Sequence, residues 1–180
     1  MSEHHQESFW TKYIFSQDHK WIGIQYGVTA LFFMLFGFAL MIVMRYQMVH
    51  SGTISPDMYN SFGAMHGTIM VFLGVVPVIV GAYGNYLLPL QIGAPDMAFP
   101  KLNMTSYWSY FIGGVLMLAG FALPGGAANS GWTSYPPLAD IATTGQTVWI
   151  FGMVFLITSS LLGSINIIVT IVQLRAEGLT

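Results

Sequence analysis

The 180-residue chain contains no cysteine. That excludes a disulfide framework and any thiolate metal site, and it leaves the redox compartment open. Charge is scarce as well. Asp, Glu, Lys and Arg make up 7% of the residues, against roughly 25% in a soluble domain. The net charge is −2, so there is no basic footprint and no nucleic-acid partner is expected. Residues 1–20 are polar, carry Glu3 and Glu7, and lack a signal-peptide pattern. The first apolar stretch is therefore expected to serve as its own insertion signal. No internal repeat is visible.

Apolar side chains fill the space that charge leaves. They account for 54% of the chain, and the mean hydropathy is +0.64. Four stretches hold no Asp, Glu, Lys or Arg: 21–44, 61–90, 105–123 and 145–174. Spanning a bilayer as a helix takes about 20 apolar residues. The sequence thus predicts an all-α integral membrane protein in the lipid bilayer, with four transmembrane helices over 21–46, 61–90, 103–123 and 145–174. Pro77 is expected to kink the second. Lys12, Lys20, Lys101 and Arg175 fall on one side of this arrangement, and Arg45 alone falls on the other. The positive-inside rule then puts both termini in the cytoplasm of a bacterium, or in a mitochondrial matrix. The connections 49–60 and 124–144 face outward. The second of these carries Trp132 and Tyr135 and is long enough to pack over something large.

One stretch, 59–96, concentrates the chemistry. His66 lies 19 residues before Asn85, about 28 Å along a helix, which approaches the thickness of the hydrocarbon core. The histidine and the amide should therefore lie at opposite faces, with Asp96 just past the exit. An ionisable side chain within a span points to function. Gly63 and Gly67 beside His66 remove bulk, and neutral imidazole is an ordinary axial ligand for haem iron. The competing reading is a histidine hydrogen-bonded between helices, with the glycines as a packing pair. Arg45 either snorkels to the interface or meets a cofactor substituent. Tyr59 shares the face of His66 and suits either a cofactor edge or an aromatic belt.

Polar residues gather towards the other end. Asn85, Asn103 and Tyr26 flank Asp96, and Ser159, Gly163, Asn166 and Thr170 form one helical stripe, with Ser160 beside it. In lipid such a stripe must face protein or water. As a set it suits a file of waters with a carboxylate at its mouth; the alternative is polar adhesion between helices.

Together these residues resemble the haem-copper oxidase family, in the N-terminal third of its large catalytic subunit, subunit I of the cytochrome c oxidases. The matching stretches are HKWIGIQY at 19–26, Arg45, YNSFGAMHG at 59–67, GNYLLPLQIGAPDMAFPKLN at 84–103, SYW at 106–108, GWTSYPPLA at 131–139 and SSLLGSIN at 159–166. PLQIGAPDMAFPKLN is the most specific of them. The resemblance implies a bundle of roughly twelve helices, of which this chain supplies four. It implies that His66 is an axial ligand of a low-spin haem, of a or b type, with Arg45 and Tyr59 at its ring substituents and Trp132 over its propionates. Asp96 becomes the entrance of a proton path lined by Asn85, Asn103, Tyr26, Ser159, Ser160 and Asn166.

The implied function is that of a respiratory terminal oxidase. It reduces oxygen to water with electrons from cytochrome c and translocates protons. A quinol oxidase of the same superfamily is the nearest alternative, and a four-helix scaffold or transport protein without cofactor a more distant one. The copper-site histidines, the high-spin haem ligand and the second low-spin ligand belong to later helices of the family's subunit. This segment is then catalytically incomplete by itself and has the rest of the subunit and other oxidase subunits as partners. Three positions depart from the family pattern: Gly67 where alanine is frequent, Trp21 where Asp is common, and Met104-Thr105 where Asn-Met is expected. None removes a ligating or ionisable group assigned above.

Overall fold

The computed structural model describes residues 8–179, and among them the architecture is all-helical. Four long helices carry it: α1 (His19–Val49), α2 (Pro56–Ile92), α3 (Pro100–Ala119) and α4 (Thr144–Gln173). The helix starts follow from local chemistry. Asp18 accepts from the Lys20 N–H at 2.8 Å and caps α1. Ser55 accepts from the Met58 N–H at 3.2 Å, with Pro56 in the first turn and Asp57 behind it. This cap starts α2 five residues before the predicted 61, so the connection between α1 and α2 is shorter than expected. A left-handed Gly93, at φ 70°, ends α2. Pro100 opens α3 three residues before the predicted 103. A short π-helical segment, Trp10–Ile14, precedes α1. Gln25 Nε2 pins it by donating to the carbonyls of Tyr13 and Ile14 at 2.8 and 2.9 Å.

α1, α2 and α4 are long and apolar enough to cross a membrane. α3 has 20 residues but is more polar, with Lys101, Asn103, Thr105, Ser106 and Ser109 on it. The outer faces of α1 and α4 carry apolar stripes. On α1 these are Ile24, Val28, Leu31, Leu35, Phe38 and Ile42; on α4 they run from Ile150 and Val154 to Ile168 and Val172. Spacings of three and four keep each stripe on one face, and such surfaces suit lipid or further helices rather than water.

Inside, the helices meet where glycine permits. A Cβ on Gly113 of α3 would lie 2.9 Å from the Gly152 carbonyl, and one on Gly152 of α4 would lie 3.0 Å from the Gly113 carbonyl. Each glycine makes room for the other's backbone, the small-residue contact by which membrane helices close up. Gly81 of α2 similarly seats the Tyr26 ring, which stacks on Tyr110 and meets Tyr107 edge-on, while Phe33 meets Tyr110 edge-on.

Two prolines shape α2. The chain stays helical through Pro77, and the turns on either side, Ile69–Val75 and Pro77–Gly84, widen to π form. A proline lacks the N–H that would bond the carbonyl four residues earlier, and its ring crowds that oxygen. For Pro77 that carbonyl belongs to Leu73, and the Tyr110 hydroxyl donates to it at 2.7 Å. For Pro89 it belongs to Asn85, and His19 Nδ1 reaches it at 2.8 Å. Each freed acceptor is met by a side chain from another helix, as buried carbonyls require.

Candidate functional site

His66 lies on α2 and is half-buried. Its Nδ1 faces the Gly37 carbonyl at 2.9 Å. A carbonyl only accepts, so Nδ1 carries the proton and the Nε2 lone pair is left for another partner. Gly37 makes this reach possible. A Cβ there would sit 3.0–3.1 Å from Met70 and Ile69 side-chain atoms, so α1 approaches α2 closely at this level. The two glycines near it are little crowded: among the described residues a Cβ on Gly67 would meet nothing within 4 Å, and one on Gly63 would touch only Met44. A ring nitrogen fixed by a backbone carbonyl is the usual support of a metal-bound histidine. Among the described residues no group of three or more His, Cys, Asp or Glu gathers as a cage. A lone imidazole of this kind suits a metal that brings its own equatorial ligands, as haem does.

Around this end, Arg45 is exposed on α1 and Tyr59 is half-buried. Trp132 stands in the connection between α3 and α4, 58% exposed, with its ring 5.9 Å from that of Phe72. The connection is held down by Ser61, which donates to the Ala127 carbonyl at 3.0 Å, and by Gln146, which bonds Ser130 and Ser134.

Further along the bundle a cavity of about 460 Å³ lies among α1, α2, α3 and α4. Tyr26, Asn85, Ser159 and Ser160 line it, as do Ser106 and Ser164. The Tyr26 hydroxyl bonds Ser106 Oγ at 2.8 Å and Ser159 Oγ at 3.2 Å. Ser106 in turn donates to the Ser159 carbonyl at 2.8 Å. Asn85, 4% exposed, donates from Nδ2 to the Gly81 carbonyl at 2.7 Å, and its Oδ1 is buried with no partner among the described residues. Asn103 is 1% exposed, and among the described residues neither of its amide atoms has a partner. Buried polar atoms of this kind are normally satisfied by ordered water, so both amides suit hydrated positions.

Asn103, Asn166 and Asp96 are not among the residues lining the cavity. Asn166 spends its amide on a loop. Oδ1 accepts from the Phe99 N–H at 2.9 Å and Nδ2 donates to the Phe99 carbonyl at 3.3 Å. Thr170 Oγ1, one turn on, accepts from the Ala98 N–H at 2.9 Å. Together they seat the loop that carries Asp96 on α4. Asp96 is half-buried, and its Oδ1 accepts from the Met97 N–H at 2.7 Å.

Sequence reasoning missed Ser106, Ser164, Gly37 and His19. Ser106 was legible, three residues after Asn103 on the same helical face. The freed Asn85 carbonyl follows from Pro89 four residues on, but nothing local names His19 as its donor.

An all-helical fold of long apolar helices, with a carbonyl-fixed histidine at one level and a hydroxyl-lined cavity at another, defines a class: multi-pass membrane proteins that keep polar groups inside the helix bundle. Residues 21–180 match the family model described as cytochrome c and quinol oxidase polypeptide I, and the chain belongs to that family. It is similar to cytochrome c oxidase subunit 1 of Thermostichus vulcanus, 48% identical over 99% of this chain and 33% of that protein. The alternative cytochrome c oxidase subunit 1 of Bradyrhizobium diazoefficiens is 41% identical over 98% of this chain and 31% of its own length. Cytochrome c oxidase subunit 1 of Synechocystis sp. is 41% identical over 98% and 32%. The chain thus spans about a third of the length of the curated relatives it matches.

Proposed function

We propose that this chain is the haem-ligating and proton-admitting part of a terminal oxidase subunit I, working with the remaining helices of that subunit and with other oxidase subunits. The observation that carries the reading is His66, whose proton is committed to the Gly37 carbonyl, so that the Nε2 lone pair is left for another partner, next to a Gly67 at which a Cβ would meet nothing within 4 Å. Arg45, Tyr59 and Trp132 are assigned to the edge of the same low-spin haem. A haem held there supplies one-electron chemistry. A high-spin haem and copper belong to the complete subunit, where oxygen is reduced. Cytochrome c is the donor favoured by the names of the relatives, and quinol is the second reading because the family includes both.

Protons enter at Asp96 and pass by way of Asn103 and Asn85 to the Tyr26, Ser106, Ser159 and Ser160 hydroxyls. Each of these groups holds a water or hands on a proton without building net charge, as a path through lipid requires. Asn166 acts at the entrance by fixing the loop.

The purified complex containing this chain is expected to show a low-spin, bis-histidine haem band in its visible spectrum. A colourless intact complex overturns the assignment. The four helices are read as four spans of a bacterial inner membrane with both ends cytoplasmic. Cysteine labelling tests this, since the chain has no native cysteine. Cysteine at Ser130 should react with an impermeant reagent from outside in spheroplasts, and cysteine at Glu177 only after permeabilisation. The reverse pattern inverts the topology.

A further inference from the structure

We propose that His19 is a positioning residue of the proton path, acting as a neutral N–H donor that fixes the backbone of Asn85. The inference rests on the reading of Asn85 as part of that path.

Pro89 removes the N–H that an α-helical turn would offer to the Asn85 carbonyl, and its ring displaces that oxygen from the helical ladder. The acceptor is then buried and in need of a donor from elsewhere. His19, the first residue of α1 and 3% exposed, supplies it from Nδ1 at 2.8 Å. One turn further along α1, Gly23 brings the two backbones together. A Cβ on Gly23 would lie 3.0 Å from the Ala82 carbonyl and 3.1 Å from the Tyr86 N–H. The imidazole is therefore wedged between helices rather than free to swing.

Asn85 is held from two directions. His19 fixes its carbonyl, and its own Nδ2 bonds the Gly81 carbonyl at 2.7 Å. What remains is Oδ1, buried, with no partner among the described residues, on a residue lining the cavity. The position of that oxygen sets where a water can be held between the Asp96 loop and the hydroxyl cluster. Loss of the donor lets α2 relax at its proline, and the oxygen moves with it. Displacements near 1 Å are enough to cost large factors in positioned chemistry.

The role needs a donor and no titration, and this decides the test. Three substitutions are made in the assembled oxidase: His19→Phe, which has no donor; His19→Gln, which keeps an N–H but cannot titrate near neutrality; and Asp96→Asn, which examines the path itself. Turnover per haem and proton release in vesicles are measured. His19→Phe is expected to lose about 10-fold in turnover with an unchanged haem spectrum, and His19→Gln to recover most of it. In an Asn85→Ala background His19→Phe should cost little more, because the two act through one group. If His19→Phe does not assemble, His19→Met, a smaller residue without a donor, takes its place with the same expectation.

Native turnover and pumping in the donor-free variant, with Asp96→Asn impaired, overturns the role of His19 while leaving the path intact. So does a His19→Gln as impaired as His19→Phe, because the ring would then act by titration. Native behaviour in Asp96→Asn strikes the path reading itself.

Discussion

Replacing His66 with alanine is expected to abolish the low-spin haem signal of the assembled oxidase and to lower its turnover more than about 100-fold. The magnitude follows from the ligand shell. Removing a group that merely supports a metal ligand costs about 10- to 100-fold, and removing the ligand costs more. The alanine removes one bond to the Gly37 carbonyl, which stays within the helical ladder of α1, so the added stability loss is modest, about 0.5–1.5 kcal/mol. The helix itself should persist, because alanine is a good helix former. The measurement is the reduced-minus-oxidised spectrum of the purified complex, compared with its protein content. A low-spin band of native intensity in His66→Ala removes the histidine from the iron. Glutamine at the same position is the informative companion. It can still donate to Gly37 but gives iron no imidazole, so it should restore stability and not the spectrum.

Asp96→Asn tests the other end of the bundle. Asparagine keeps the shape and can keep the turn, since its side-chain oxygen accepts from the Met97 N–H as the carboxylate does at 2.7 Å. Folding and haem content should therefore be close to native. What is lost is the one titratable side chain on the loop between α2 and α3. Positioned proton-transfer groups contribute about 100-fold or more, and water reaching the hydroxyl cluster by itself makes up part of the deficit. Turnover per haem is expected to fall by roughly 10- to 100-fold, with proton release in sealed vesicles abolished or nearly so. A purely structural Asp96 predicts the opposite pattern: a low yield with native turnover per assembled complex. Native turnover and pumping together rule out the entrance.

The fold was legible wherever one physical cause acted alone. Long runs without charge gave α1, α2 and α4 within a few residues, because nothing else in the chain competes with lipid for them. Ser55-Pro56-Asp57 carries a helix-start signal of its own, and hydropathy, which does not register caps, places the start of α2 five residues late. The reach of α3 depended on Pro100 and on Asn166 of a distant helix, so hydropathy alone misplaced its ends. The polar stripe on α4 was visible in the spacing, and Ser159, Asn166 and Thr170 are all buried. Its use was not visible. Ser159 bonds Tyr26 beside a cavity, whereas Asn166 and Thr170 bond backbone, and only the helix opposite each residue decides between those fates. The same holds for His66. Sequence spacing marked it as unusual, but the Gly37 carbonyl that fixes its tautomer lies 29 residues away on α1.

The paired bonds from Asn166 to Phe99 carry a consequence for genetics. A side chain that grips both the N–H and the C=O of one residue acts as a splint, and the splinted residue sits three places after Asp96. Whatever Asp96 does, it does from a loop whose backbone is set by a helix 67 residues further along the chain. Alleles at 166 and at 96 should then share one phenotype although their side chains never exchange a bond. A suppressor of a lesion at either position is best sought along the splint, at Ala98, Phe99 and Thr170, rather than beside the carboxylate.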